Sequence, residues 1–363
     1  MSAGRRPGRG RPTLDDVAEA VGVSRATVSN AYNRPDQLSS ALRDEVLRAA
    51  RRLGYPGPNP TARSLATSRS GAIAFMVDTG LSAAFSDPAL SITLDALASA
   101  VDPEGHALLL LPGGDDGGPR ADRVLAAQAD LAVAYSLADG APALRAVRDR
   151  SLPLVVIDQP VVTGAAIVST DDRGGGLAAA RHLTALGHRR VGVLSAQCLS
   201  TPRGGPLPLA VARESRFRDN RERLEGYLTA LAEAGVAPES VPIWETSGMD
   251  KDTAIEAALE LLSTHPRPTA LLCMSDELAM AALAAARQLG IAVPGQLSLV
   301  GFDDTPPARW TDPPLTTVRQ DLVGKGRRAG ELALHLLAGN RPPAETVLDV
   351  ELVVRESTAR VPA

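Results

Sequence analysis

From Gly71 onward, short apolar segments alternate with longer segments of helical spacing, and this alternation restricts the fold more than any other feature. The apolar segments are three to five residues long, which suits strands rather than helices. They are Ile73–Val77, Ala107–Leu111, Leu131–Tyr135, Leu154–Ile157, Val191–Leu194, Ala270–Cys273 and Ser298–Val300. Strands joined through helices form parallel sheets that helices cover. The array exceeds one doubly wound unit, so we expect two lobes with a ligand cleft at the carboxyl ends of the strands.

The positive charge of the chain is concentrated near its start. The formal net charge is −4, yet residues 1–70 contain twelve arginines and six acidic residues. The remainder therefore carries a formal charge of −10, so a basic head precedes an acidic body. Such a head is typical of nucleic-acid binding, although charge alone also allows a solvated basic tail. Residues 1–12 are expected to form a disordered basic arm.

Several classes of protein are disfavoured by what the sequence lacks. No apolar run reaches the roughly 18–20 residues of a membrane span, and no apolar segment follows the N-terminal arginines as in a signal peptide. The two cysteines, Cys198 and Cys273, do not have zinc-ligand or disulfide-framework spacing. We therefore expect a soluble cytoplasmic protein without a metal or another cofactor.

Two short helical patterns joined by a glycine lie near the N-terminus. The hydroxyl of Thr13 can cap the first helix, and Gly22 ends it. Ser24 can cap a second helix over Arg25–Tyr32. Two short helices with a tight turn between them predict a helix-turn-helix, whose second helix presents its N-terminal side chains to base edges in the major groove.

The sequence of this region resembles one known family. A third helix is expected from Ser39 or Ser40 to Gly54, which makes residues 13–56 an all-α domain. The chain reads T-L-D-D-V-A-x-x-V-G-V-S-x-x-T-V-S-N-x-x-N and closes with R-R-L-G-Y at Tyr55. This resembles the DNA-binding domain of the lac and galactose repressor family. The resemblance implies a homodimeric transcription regulator, most often a repressor, that binds a near-palindromic operator in double-stranded DNA.

The resemblance assigns base contacts to the second helix. Arg25, Ala26 and Asn30 fall where the family's base-reading side chains lie. An arginine can bind guanine with two hydrogen bonds, an asparagine can serve adenine or the backbone, and an alanine offers an apolar contact to a thymine methyl. Phosphate contacts or helix caps are expected from Thr13, Ser24, Thr27, Ser29 and Asn33.

Residues 57–70 resemble the family's hinge helix. Prolines at and after Pro56 end the third helix and stiffen the exit from the domain. In the family, a leucine from each subunit's hinge separates the central base step in the minor groove, and Leu65 matches it. Arg63 and Ala66 flank that leucine as expected minor-groove residues. The alternative is an inert proline-rich linker.

Residues 71–363 resemble the family's sensing domain, an α/β fold related to periplasmic sugar-binding proteins. The matching segments are Leu183–Arg189, Arg223–Tyr227, Ser275–Ala279, Gly301–Asp304 and Pro314–Gln320. The resemblance implies a small-molecule effector, a sugar or a related metabolite. It also implies a first lobe of about residues 71–161 and 319–341, and a second lobe of about residues 162–314 and 345–357, with crossings near 159–163, 315–318 and 342–346.

Two residues match the family's effector contacts most closely. Arg223 and Asp303 correspond to an arginine and an aspartate that hold the ligand. A guanidinium and a carboxylate offer donors and acceptors to vicinal hydroxyls or to an anionic group. The alternative for each is a structural salt bridge or a helix cap.

Further positions match the effector pocket less closely. Phe85, Ser86 and Asp87 fall where the family builds one pocket wall. Met249 stands where some sugar-responsive members have a tryptophan, so aromatic stacking on a sugar cannot be assumed. Residues 198–220 exceed the usual family loop and are expected to be either a lid over the cleft or a disordered excursion.

Two other functional classes fit the sequence less well. An α/β enzyme fused to a DNA-binding module lacks support, since no nucleotide-binding motif or nucleophile motif occurs, and we expect no catalytic activity. A free solute-binding protein would need a signal peptide and no helix-turn-helix. A dimer is expected rather than a tetramer, because no leucine heptad follows Leu352.

Overall fold

The computed structural model describes residues 12–57, 69–114, 117–198, 203–248, 250–341 and 345–361. The chain divides into two compact units on either side of the Ser70–Gly71 bond. Within the described ranges, no helix combines the length and apolar character needed to cross a bilayer. The expected basic arm and most of the expected hinge, including Arg63, Leu65 and Ala66, lie outside these ranges.

The described part of the N-terminal unit contains helices α1 (Leu14–Val21), α2 (Arg25–Asn33) and α3 (Ser40–Leu53). Their apolar faces meet in one small core. Its buried members are Val17, Ala18, Val28, Ala31, Val46, Ala49 and Ala50. These bounds confirm the helices that the sequence predicts, to within one residue at the ends of α2 and α3.

The ends of these helices are fixed by the residues expected to cap them. The Asp16 backbone N–H donates to Thr13 Oγ1 at 3.4 Å, while Thr13 N donates to Asp16 Oδ2 at 2.6 Å. Gly22 ends α1 at φ 72°, a left-handed conformation that glycine adopts without strain. Ser24 and Ser39 accept hydrogen bonds from the first turns of α2 and α3. Local sequence therefore sets where each helix begins.

In the C-terminal unit, strands and helices alternate as the apolar pattern predicts. The strands are β1 (Ala72–Val77), β2 (Ala107–Leu111), β3 (Leu131–Tyr135), β4 (Leu154–Ile157), β5 (Ala166–Thr170), β6 (Val191–Ser195), β7 (Gly205–Pro206), β8 (Ile243–Glu245), β9 (Ala270–Cys273), β10 (Ser298–Asp303), β11 (Thr316–Gln320), β12 (Glu345–Leu348) and β13 (Val350–Val353). The helices are α4 (Leu81–Ser86), α5 (Pro88–Val101), α6 (Ala121–Ala126), α7 (Pro142–Asp149), α8 (Asp172–Ala185), α9 (Leu209–Arg213), α10 (Arg218–Glu233), α11 (Lys251–Leu262), α12 (Asp276–Gln288) and α13 (Leu322–Leu337). All seven predicted strands are present.

One sheet, of six strands among the described residues, has the order β12-β5-β4-β3-β1-β2 and is parallel throughout. Alternate residues of β1 point to opposite faces. Ile73, Phe75 and Val77 pack with α5 and α13, whereas Ala74 and Met76 pack with α6 and α7. Helices therefore cover both faces, as a parallel sheet requires.

The other sheet has the order β13-β11-β10-β9-β6-β8-β7, seven strands among the described residues. Its outermost strands, β13 and β7, are antiparallel to their neighbours. Helix α8 packs on α10, and α11 packs on α12. The two sheets confirm the expected two-lobed α/β fold, with antiparallel strands at both edges of the second sheet.

The chain crosses between the sheets later than the resemblance implies. Crossings follow Thr170 and Gln320, and a third falls at Asp349, instead of near 159–163, 315–318 and 342–346. The cause is strand pairing: β5 pairs with β4, β11 pairs with β10, and β12 pairs with β5. We call the described residues of 71–170 and 321–348 the N-lobe, and those of 171–320 and 350–361 the C-lobe. The expected lobe boundaries are corrected accordingly.

Candidate functional site

The N-terminal end of α2 carries the candidate base-reading residues. Arg25 and Ala26 are exposed in its first turn. Arg25 Nη1 lies 3.7 Å from Asp15 Oδ2, but both side chains are about two-thirds exposed or more, at 72% and 67%. An exposed ion pair of this length contributes little, so Arg25 is available to another partner. Asn30 lies further along α2, and its Nδ2 donates to Gln37 Oε1 at 3.4 Å.

Most of the expected phosphate contacts already have local roles in this unit. The Thr27 backbone N–H donates to Ser24 Oγ at 3.1 Å, and the two hydroxyls lie 2.9 Å apart. The Thr13 hydroxyl donates to Asp16 Oδ2 at 2.7 Å. Ser29 is partly buried with a partner of its own, and Asn33 is the last residue of α2. A capping hydroxyl at a helix N-terminus remains near the surface where a phosphate would lie.

In the C-terminal unit, acidic side chains from both lobes gather where parallel strands end. Asp78 follows β1 and Asp158 follows β4 in the N-lobe, while Asp303 ends β10 in the C-lobe. Burial raises the pKa of the Tyr135 phenol at the end of β3, and the nearby charges of Asp158 and Asp303, together with those of Asp87 and Asp219, raise it further. Tyr135 therefore lies near Asp158 of the N-lobe and Asp303 of the C-lobe, where the two lobes meet.

The structure brings the two predicted effector contacts together. Arg223 on α10 is 8% exposed, and its guanidinium lies 3.8 Å from the centroid of the Phe302 ring, next to Asp303. Burial opposes the charge of Arg223, but the carboxylates of Asp172, Asp303 and Asp219 outweigh it and raise the pKa of the guanidinium. Arg223 Nε also donates to Asp172 Oδ1 at 2.8 Å. Arg223 therefore forms a structural salt bridge, one of the alternatives that the sequence leaves open, and this salt bridge lies beside the cleft.

Asp303 occupies an unusual backbone conformation at the end of β10. Its φ is 115° and that of Asp304 is 53°, both in a region that residues other than glycine rarely adopt. Such strain is common where a side chain must be held in place for function. Burial raises the pKa of the Asp303 carboxyl, the charges of Asp276 and Asp87 add to this, and Arg223 opposes it. Asp304 instead has a structural role, because its Oδ2 accepts a hydrogen bond from Arg319 Nε at 2.8 Å.

The cleft contains more carboxylates than free cations among the described residues. Burial raises the pKa of Asp78 to about 7, with a contribution from the charge of Asp219. Burial also raises the pKa of Asp219 to about 6; Arg223 opposes this effect, whereas Asp172 and Asp158 add to it. Arg223 is already matched by Asp172. The cleft therefore offers many hydrogen-bond acceptors and little uncompensated positive charge.

The expected pocket wall at residues 85–87 is only partly in the cleft. Phe85 is 58% exposed on α4, and Ser86 Oγ donates to the carbonyl of Ser82 at 2.9 Å. Asp87 Oδ1 caps α5 by accepting the backbone N–H groups of Ala89 and Leu90. Of these three residues, the charge of Asp87 reaches the cleft. Met249 lies outside the described residues.

The long segment before α10 connects the two lobes. Residues 203–220 are described: β7 pairs with β8, and α9 follows. Near the C-terminal end of this segment, the carbonyl of Arg216 accepts a hydrogen bond from the backbone N–H of Asp139 in the N-lobe at 2.8 Å. Just after the segment, Arg221 Nη1 donates to Asp139 Oδ2 at 2.8 Å. Arg218 Nη1 also reaches Glu345 Oε1 at 3.0 Å. For its described part, the disordered alternative is therefore wrong; the segment bridges C-lobe and N-lobe.

A second bridge leaves one polar atom unpaired. The Asp219 backbone N–H donates to Gln159 Oε1 at 3.0 Å across the lobes. Gln159 is 1% exposed, and its Nε2 has no hydrogen-bond partner among the described residues. A buried donor without an acceptor is costly, by about 1–3 kcal/mol, and such groups often mark a site with a missing partner.

Sequence reasoning missed several cleft residues. Asp78, Tyr135, Asp158, Asp219 and Gln320 were not predicted. Three of them, Asp78, Tyr135 and Asp158, stand at or just after the end of a predicted strand, and that position alone marks a cleft residue in a parallel fold. Asp219 and Gln320 carry no such signal, because their neighbourhood depends on how the lobes meet.

Both units match known proteins. Residues 13–59 match the family described as bacterial regulatory proteins, lacI family, and residues 180–358 match a periplasmic binding protein-like domain. An HTH-type transcriptional regulator from Mycolicibacterium smegmatis is 42% identical over 97% of this chain and 98% of its own. The lac repressor dimer bound to operator and the anti-inducer ONPF is 26% identical, with a TM-score of 0.77 over 96% of this chain and 100% of its own. A CelR–cellobiose complex is 28% identical, with a TM-score of 0.68 over the same shares.

Proposed function

This chain belongs to the lacI family of bacterial transcription regulators, and we propose that a small molecule in the cleft between its lobes sets its affinity for an operator. One observation supports this proposal above the others. Side chains from both lobes, including Asp78, Asp219, Arg223 and Asp303, gather at the carboxyl ends of the strands in a chain that also carries a helix-turn-helix. The family acts on chromosomal DNA, so we place the protein in the cytoplasm.

On the DNA side, we propose that a homodimer places one α2 in each half of a near-palindromic site. Arg25, Ala26 and Asn30 would contact base edges, and the capping hydroxyls near the starts of α1 and α2 would contact phosphates. Leu65, flanked by Arg63 and Ala66, would separate the central base step in the minor groove. The exposure of Arg25 and Ala26 supports the first assignment.

For the ligand, we propose an uncharged molecule rich in hydroxyl groups, such as a sugar. The acidic side chains of the cleft would accept hydrogen bonds from ligand hydroxyls, and a phosphate or a carboxylate would find little uncompensated positive charge there. The unpaired Nε2 of Gln159 would donate to a ligand oxygen. The similar structure of CelR in complex with cellobiose supports the same class of ligand. Asp303 and Arg223 would contact the ligand directly, and Asp87 would lie at the edge of the ligand site. Phe85, Ser86 and Met249 would form the outer wall of that site.

The control mechanism follows from differential affinity. A ligand that contacts both lobes favours the arrangement in which its two sets of contacts are made together. The N-lobe directly follows the hinge residues, so its position sets the separation of the two hinges in a dimer. The ligand then changes operator affinity by as much as its own affinity differs between the two arrangements.

Calorimetry with a panel of neutral sugars and sugar alcohols, cellobiose included, tests this function. The phosphate esters of the same sugars are the matched anions, and we expect binding by the neutral member of a pair only. Asp303→Asn should weaken binding about tenfold to a hundredfold, since it leaves ligand hydroxyls imperfectly paired. Asp122→Asn, on an exposed pair of α6, should bind as the wild type does. Equal binding by neutral and phosphorylated ligands would contradict the proposed ligand class.

A further inference from the structure

A lysine is buried beside the cleft. Lys325, in the first turn of α13, is 1% exposed, and its ammonium donates to Asp158 Oδ1 at 2.7 Å. It also donates to Gln320 Oε1. The sequence contains only two lysines among 38 basic residues, Lys251 and Lys325. Taking an ammonium out of water is expensive, so its retention in an arginine-rich chain calls for a function that a compact cation serves.

The ammonium fixes the orientation of a neighbouring amide. Gln320 ends β11. Its Oε1 accepts hydrogen bonds from the Lys325 ammonium and, at 3.4 Å, from Thr170 Oγ1, whose hydroxyl can also accept, and its Nε2 donates to Asp303 Oδ1 at 2.6 Å. The two ends of a glutamine amide have nearly the same shape, so the surrounding donors and acceptors decide which end points where. A cation accepts no hydrogen bond and therefore keeps the oxygen on its own side. The amino group is then directed at Asp303.

These contacts form a continuous chain from one lobe to the other. Asp158 and Lys325 belong to the N-lobe, and Asp303 belongs to the C-lobe. Gln320 is the last residue before a crossing, so it lies at the pivot between the lobes. Among the described residues, Oδ2 of Asp303 receives no hydrogen bond, whereas Oδ1 is occupied by the amide. The amide thus determines which oxygen of Asp303 is left for another partner.

We infer that Lys325 is a positioning residue of the ligand site: by orienting the Gln320 amide, it holds Asp303 for the ligand and links the N-lobe to that contact. This inference rests on the proposed function for the role of Asp303, but the orientation of Gln320 does not depend on any ligand. A purely structural role would require only that Lys325 and Asp158 neutralise each other. The two roles differ in what happens when both charges are removed together.

The test uses the full-length chain with its glutamine amides labelled with nitrogen-15. In the wild type, the Gln320 amide should give one pair of slowly exchanging signals, assigned by their loss in Gln320→Glu. Lys325→Met alone leaves Asp158 buried without a partner and is expected to be less stable. The decisive variant is therefore Lys325→Met with Asp158→Asn, which removes both charges. Lys251→Met, at the exposed start of α11, is the matched control.

We expect the Gln320 amide protons of the double variant to exchange at least about tenfold faster than in the wild type, and those of the control to be unchanged. With a sugar identified by calorimetry, Gln320→Glu should lose affinity although it keeps a partner for Lys325. Unchanged amide signals in a stable double variant would overturn the inference. If no sugar binds the wild type, the proposed function fails, while the amide measurement still decides the role of Lys325.

Discussion

Removing the charge of Asp139 should loosen the contact between the lobes. Asp139 lies in the loop before α7 in the N-lobe, and four hydrogen bonds join it to the C-lobe. Three of them use its backbone: the N–H donates to the carbonyl of Arg216, and the carbonyl accepts Nη2 and Nε of Arg216 at 2.9 and 3.3 Å. The side chain makes one ion pair, to Arg221. Asp139→Asn removes the ion pair and leaves the backbone bonds in place.

The size of the effect follows from the exposure of that ion pair. The two side chains are 29% and 44% exposed, so solvent screens much of their attraction. Exposed pairs contribute about 0.2–1 kcal/mol, and the short distance of 2.8 Å places this pair in the upper half of that range. The ratio of joined to separated lobes should therefore fall about two- to fivefold. The loss should shrink at roughly 1 M salt, where charges are screened over about 3 Å.

Hydrogen exchange of the Asp139 amide measures this ratio directly, because that amide donates across the lobes. In Asp139→Asn at low salt, the protection factor of the amide at position 139, which corrects for the intrinsic rates of Asp and Asn, should be about two- to fivefold lower than in the wild type. Asp122→Asn, which breaks an ion pair with Arg120 inside one lobe, should leave it unchanged. Equal protection factors in the wild type and Asp139→Asn at low salt would show that this pair does not hold the lobes together.

Three further predictions concern single residues. Arg25→Ala should weaken the binding free energy by about 1–3 kcal/mol at the operator and by much less on random DNA, as measured by competition binding. An equal loss on both kinds of DNA would show that Arg25 is a phosphate contact. Burial raises the pKa of Asp78 to about 7, so the folded chain holds this proton more tightly than the unfolded chain. The contribution of Asp78 to stability is therefore lost as pH rises from about 4 to about 7. In Asp78→Asn, the melting temperature should fall less steeply over this range, by a difference that corresponds to at most one bound proton. An unchanged slope would count against the prediction. A Cβ at Gly175 would meet the Phe302 ring at 2.9 Å, so Gly175→Ala should weaken sugar binding in calorimetry. Gly295→Ala should not, because its Cβ would make only an ordinary contact, 3.6 Å from the Cβ of Ala292. Wild-type affinity in Gly175→Ala would show that Phe302 gives way freely.

The sequence predicts the secondary structure well where local chemistry decides it. Thr13, Ser24 and Gly22 fix helix ends by hydrogen bonds within a few residues, and these were predicted. The strongly apolar strands, such as Leu131–Tyr135, were also predicted. The strands that were missed, such as β11 with the sequence T-T-V-R-Q, contain polar residues or are very short. Their existence depends on partners far along the chain, which local periodicity does not reveal.

The candidate site was predicted only in part for a similar reason. Arg223 and Asp303 were found through the resemblance, and the structure brings them together. The ion pair of Arg223 with Asp172 and the role of Gln320 could not be read from the sequence, because both join segments that meet only after the lobes form. The lobe crossings that the resemblance implies were misplaced because pairing with distant strands decides which sheet receives β5, β11 and β12.

Operator binding measured by fluorescence anisotropy, with and without the cleft ligand, tests most directly whether the C-terminal unit controls the N-terminal unit. An operator fragment selected from random DNA and a sugar identified by calorimetry are the reagents. For the wild type, we expect the sugar to change operator affinity by about fivefold or more in one direction. Asp303→Asn should bind the operator as the wild type does without sugar, and should need about tenfold to a hundredfold more sugar for the same response. An Asp303→Asn variant that responds at the same sugar concentration as the wild type would contradict control through the cleft.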